Sequence, residues 1–82
     1  MRTVDHEGEI PLYIQLADIL REMIASGELP PHRPIPSIRF LVETHGVADQ
    51  TVKKAVQVLR DEGLVRTVPG KGVYVIDRSA RR

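Results

Sequence analysis

The 82-residue sequence has no cysteine, no tryptophan and only three aromatic side chains, two Tyr and one Phe. Without cysteine there are no disulfides and no thiolate metal ligands, and the redox compartment is left open. Three aromatics are too few to line a stacking groove for single-stranded bases. No apolar run approaches the ~18 residues of a membrane span, and the N-terminus lacks a signal-peptide pattern. His6, His32 and His45 lie far apart with no i, i+4 pairing, so no metal site is expected. Carboxylates occur singly or at helix ends, and no Ser or Thr carries the signature of a nucleophile. Gly70-Lys71 lacks the GxxxxGK[ST] spacing of a phosphate-binding P-loop. The sequence therefore predicts a soluble, cytoplasmic binding protein with no enzymatic activity and no cofactor.

What is present is a balanced composition, 41% hydrophobic and 28% charged, suited to one small globular domain. The net charge of +1 hides a division. Residues 1–30 set two basic against six acidic residues, a net of −4, and residues 31–82 set ten against five, a net of +5. An acidic first third and a basic remainder suit one face turned toward a polyanion.

Residues 1–9 are polar and aperiodic and read as a loose arm; residues 10–77 read as the folded domain and 78–82 as a basic tail. Pro11 sits where a first helical position accepts proline, and Leu12, Leu16, Ile19, Leu20, Met23 and Ile24 follow at helical spacing. Gly27 ends that helix. Four prolines between Leu29 and Pro36 force an extended path, with room for a short extra strand near Ile35. Ser37 offers an N-cap for a second helix with Ile38, Leu41 and Val42 as its apolar face, closed by Gly46. Val47-Ala48-Asp49 forms the turn. A third helix then carries Val52, Ala55, Val56 and Leu59 at i, i+3, i+4, i+7, and Gly63 stops it. Leu64–Val68 and Val73–Ile76 switch to period two, and Pro69-Gly70 between them suits a type II turn. The fold class is α+β: a winged helix-turn-helix of three helices and a two-stranded β-wing.

Two helices joined by a short glycine-containing turn place the second for insertion into a major groove. Its first residues, Asp49, Gln50, Thr51, Lys53 and Lys54, would reach base edges. Gln pairs with adenine, Thr donates or touches a thymine methyl, and Lys reads guanine or binds phosphate. Ser37 and the first N–H groups of its helix form a phosphate seat, with Arg39 beside them. An i, i+4 ion pair with Glu43 is the plainer role for Arg39, worth only ~0.3–0.5 kcal/mol. Lys71 between two glycines would let the hairpin tip approach the DNA backbone.

The chain resembles the winged helix-turn-helix domain of the GntR family of bacterial transcription regulators. The resemblance runs through Pro11-Leu12-Tyr13, Ile24-Ala25-Ser26-Gly27-Glu28-Leu29-Pro30-Pro31, Ile35-Pro36-Ser37-Ile38-Arg39-Phe40-Leu41, Gly46-Val47, Thr51-Val52-Lys53-Lys54-Ala55, Leu59, Glu62-Gly63-Leu64-Val65 and Gly70-Lys71-Gly72-Val73-Tyr74-Val75. It implies that Arg39 touches DNA at the start of the second helix, that Thr51 and Lys53 act from the recognition helix, and that Gly70 enters a minor groove. It further implies a repressor, and a homodimer, at least on DNA, suits a pseudo-palindromic operator because half-sites mirror protein two-fold symmetry.

Two departures from the family stand out. Ala48-Asp49-Gln50 stands where Ser-Arg-Thr is usual, which removes the expected cap and leaves Asp49 to cap one residue later. It also puts a carboxylate where a cation would face DNA. The effector-binding domain usual in the family does not follow Arg82, so the chain reads as an excised DNA-binding domain or a short regulator with no small-molecule effector site. The rival expectation is a winged helix used for protein–protein assembly, marked by an exposed apolar patch in place of Lys53, Lys54 and Lys71. An RNA-binding winged helix would share the charge pattern.

Overall fold

The computed structural model describes residues 3–77; the basic tail expected at 78–82 lies outside them. Helix α1 (Leu12–Ser26) begins one residue later than the sequence suggested. Pro11 is extended, at φ −53° and ψ 144°, and acts as the N-cap, its carbonyl accepting from Ile14 and Gln15 N–H. Helix α2 (Ile38–His45) starts at Ser37, whose Oγ accepts from the Phe40 N–H at 3.1 Å as foreseen. Helix α3 (Asp49–Asp61) follows after a short turn.

Strands β1 (Val65–Val68) and β2 (Gly72–Val75) form an antiparallel hairpin with Val65 opposite Val75 and Val68 opposite Gly72. The Lys71 N–H donates to the Val68 carbonyl at 3.0 Å, and Gly70 at φ +77° supplies the left-handed residue that a type II turn requires. The extra strand expected near Ile35 is only an isolated bridge, Pro34 to Tyr74. His32 and Ile35 donate to the carbonyls of Val75 and Val73, and Arg33 accepts from Val75, all at 2.9 Å. Proline removes a donor from every second position of this segment's far end, so the pairing goes no further.

Leu16 and Leu20 of α1, Val52 and Leu59 of α3 and Val65 of β1 are the largest fully buried side chains. Helix α3 packs on α1, α2 and β1 and is thus held from three sides. Each such apolar side chain contributes about 1.5–3 kcal/mol relative to exposure.

The segment before Pro11 departs from the expectation of a loose arm. Val4 joins the core at 7% exposure. Gln15 clamps the chain, accepting from the Asp5 N–H at 2.7 Å and donating to the Asp5 and Ile10 carbonyls. His6 Nε2 lies 2.9 Å from the His45 carbonyl, at the end of α2. One apolar side chain and a few polar reaches suffice to dock a segment that has no periodicity of its own.

Candidate nucleic-acid interface

The joint between α2 and α3 fixes how the third helix is presented. Gly46 takes φ 65° and ψ 41°, and its N–H bonds the Val42 carbonyl at 2.8 Å. A side chain is rarely tolerated at that φ, so the α2 terminus depends on glycine. Val47 then plugs into the core, and Ala48 is the extended N-cap of α3, its carbonyl accepting from Thr51 and Val52 N–H. Asp49 therefore does not cap the helix, contrary to the sequence reading. It is the first helical residue and makes no side-chain capping bond. Burial of Val47 and Val52 sets where the turn closes, and that overrides the capping preference of Asp. A carboxylate in the first turn is still favourable to the helix dipole, by about 0.3–1 kcal/mol.

Along α3, Val52, Ala55, Val56 and Leu59 face inward. Asp49, Gln50, Lys53, Lys54 and Gln57 are exposed and Thr51 is half-buried. An open groove of about 890 Å³ separates this helix from the wing and from the start of α2. Ser37, Arg39, Lys53 and Lys71 all line it, over a floor that includes Pro36, Val56 and Val73. Four of the nine residues singled out from sequence thus share one groove. Asp49, Gln50 and Thr51 sit beyond it at the N-terminal end of α3, and Gly70 at the exposed tip of the hairpin. Lys54 goes elsewhere: its Nζ stands 4.4 Å from the centroid of the Tyr13 ring on α1, a cation–π contact.

Sequence reasoning missed Arg60, which also lines the groove and donates from Nη1 to Gln57. The signal was available, since Lys53, Gln57 and Arg60 stand at i, i+4, i+7 and share one face.

Charge is arranged unequally around this site. Arg39 makes the anticipated i+4 pair with Glu43, Nε to carboxylate at 3.3 Å, with 88% of its side chain exposed. Away from the groove Arg21 bonds both Asp18 and Glu62. The Glu62 hydrogen bond, opposed by burial and aided by Asp18, holds the guanidinium above its ordinary value. His45 is 5% exposed, its Nδ1 has no hydrogen-bond partner, and burial pushes the imidazole below its ordinary value. Among the described residues no group of three His, Cys, Asp or Glu could hold a metal ion.

Residues 12–75 match the model for bacterial regulatory proteins of the gntR family. The chain belongs to the GntR family. This GntR domain is 36% identical over 72 residues to the HTH-type transcriptional repressor NagR of Bacillus subtilis (strain 168), a match over 88% of this chain and 30% of NagR. The chain thus spans less than a third of that relative. Among solved structures it is similar to YtrA from Sulfolobus acidocaldarius, a GntR-family transcription factor, at 41% identity and TM-score 0.82, over 92% of this chain and 79% of that one. It is also similar to the DNA-binding domain of AraR in complex with operator ORX1, at 28% identity and TM-score 0.83, over 92% of this chain and 95% of that one. The α+β architecture is accordingly the winged helix of GntR DNA-binding domains, and the family and these relatives are transcription regulators, not enzymes.

Proposed function

We propose that this GntR-family chain binds duplex DNA in a sequence-specific manner as the operator-reading part of a transcriptional repressor. Helix α3 enters the major groove from its N-terminal end, where Asp49, Gln50, Thr51 and Lys53 meet base edges. Ser37 and Arg39 seat a phosphate, and the wing tip at Gly70 and Lys71 lies on the adjacent minor groove. Two copies occupy a pseudo-palindromic operator, because half-sites mirror protein two-fold symmetry. The repressor acts in the cytoplasm at the nucleoid; no helix among the described residues is long and apolar enough to cross a membrane.

The observation that carries the reading is the groove in which Ser37, Arg39, Lys53 and Lys71 converge from three separate elements. Its likeness to a domain solved on an operator supports it. The rival, a protein-docking module, draws on Phe40 and Ile38, which are 48% and 37% exposed. These flank Arg39 in sequence and do not displace the cations.

Selection from a random duplex library at ~0.15 M salt, repeated over several salt concentrations, tests the proposal. A two-fold-symmetric motif, with log affinity falling linearly against log salt, is the expected result. Weak, motif-free binding would overturn it.

A further inference from the structure

A protein that places a helix in a major groove and a hairpin in the neighbouring minor groove must carry the sugar-phosphate strand that separates the two. On the duplex-DNA reading, the groove of about 890 Å³ between α3 and the wing is the space open to that strand. Arg39, Lys53, Arg60 and Lys71 line it and no carboxylate does, while its apolar floor suits deoxyribose. We propose that Arg60, positioned by Gln57, clamps a phosphate of this intervening strand. The proposal rests on the duplex-DNA reading above.

Arg60 differs from its neighbours in the groove. Arg39, Lys53 and Lys71 are exposed side chains that must be ordered when DNA arrives. Arg60 is already half-buried, and its guanidinium is held by the Gln57 side-chain oxygen. Gln57 is fixed in turn, donating from Nε2 to Asp61 at 2.8 Å. The Arg60 Nε is buried with no acceptor in the protein. An unsatisfied donor is a standing cost. In a groove of like charges the acceptor that relieves it is an anion, and a small turn of the guanidinium toward phosphate exchanges the orphan for a charge-assisted bond. Such a contact fixes register on the duplex and carries no base preference.

Affinity for the selected duplex, measured from ~0.05 to ~0.3 M salt, separates the possibilities. Arg60→Gln is expected to weaken binding roughly tenfold, uniformly across sequences, and to lower the log–log salt slope by about 0.9. Arg60→Lys, which keeps stem and charge, restores the slope. Gln57→Ala weakens binding with the slope intact, because it loosens the clamp without removing the charge. An unchanged slope in Arg60→Gln overturns the proposal, whether affinity is kept or falls with the melting temperature as a purely structural residue would cause. Should the wild-type chain itself show no duplex preference, the DNA reading fails and the clamp with it. A wild type that binds while Arg60→Gln is silent discards the clamp alone.

Discussion

The two charged sides of this domain solve opposite problems. On the α1 side, Arg21 is bonded to Asp18 and Glu62, so cation and carboxylates satisfy each other within the fold. On the groove side, Lys53 and Lys71 pair with no carboxylate among the described residues, and Arg39 has only an exposed partner, Glu43. A paired charge stabilises the protein a little and attracts nothing. An unpaired one adds little to stability and is available to a ligand. A net charge of +1 is therefore a poor guide to polyanion binding; what counts is which cations the fold leaves unmatched.

The sharpest way to break this contrast is to remove unmatched cations. Arg39→Ala or Lys53→Ala should each cost operator binding about 1–3 kcal/mol while leaving the melting temperature nearly unchanged. Full affinity in both titrations would refute the docking geometry. Asp49 tests the same contrast from the other sign, since it is the one carboxylate at the leading end of α3. Asp49→Arg should strengthen non-specific duplex binding and steepen the salt slope by about 0.9; a shallower slope would contradict that role.

A smaller effect concerns His45, whose burial favours the neutral ring. Its folded pKa lies below the ordinary 6.5, so the unfolded chain binds more protons. Its contribution to stability is thus complete above that value and is lost as pH falls through the folded pKa. Denaturant titrations of wild type and His45→Gln should converge in their pH dependence above neutrality and diverge in mild acid, the variant being flatter. Parallel curves would refute a part for His45 in the acid response. The smallest effect is expected on the paired side. Arg21→Ala should lower stability by about 0.2–1 kcal/mol with DNA affinity and salt slope unchanged, and any change in slope would blur the division between the two sides.

Most of the fold was legible because its signals are local. Ser37, Gly46 and the Pro69-Gly70 pair each act within four residues, and the apolar stripe of α3 is a matter of period. The bridge at Pro34 was only half legible, since its hydrogen bonds exist through β2 rather than through any strand pattern of its own. The docking of residues 3–9 was not legible, because it depends on Val4, His6 and Gln15 meeting distant elements. The site divides in the same way. Ser37, Arg39 and Lys53 followed from position on a helix, whereas the turn of Lys54 toward Tyr13 depends on how α1 and α3 pack. Arg60 was hidden by the use of periodicity to find the core alone.

The contact between His6 and the His45 carbonyl ties the segment ahead of α1 to the joint between α2 and α3. His6 also stands 3.6 Å from where a side chain on Gly46 would begin. The aperiodic segment ahead of α1 and the glycine joint before α3 are thus one packed unit, and neither can be altered as though it stood alone.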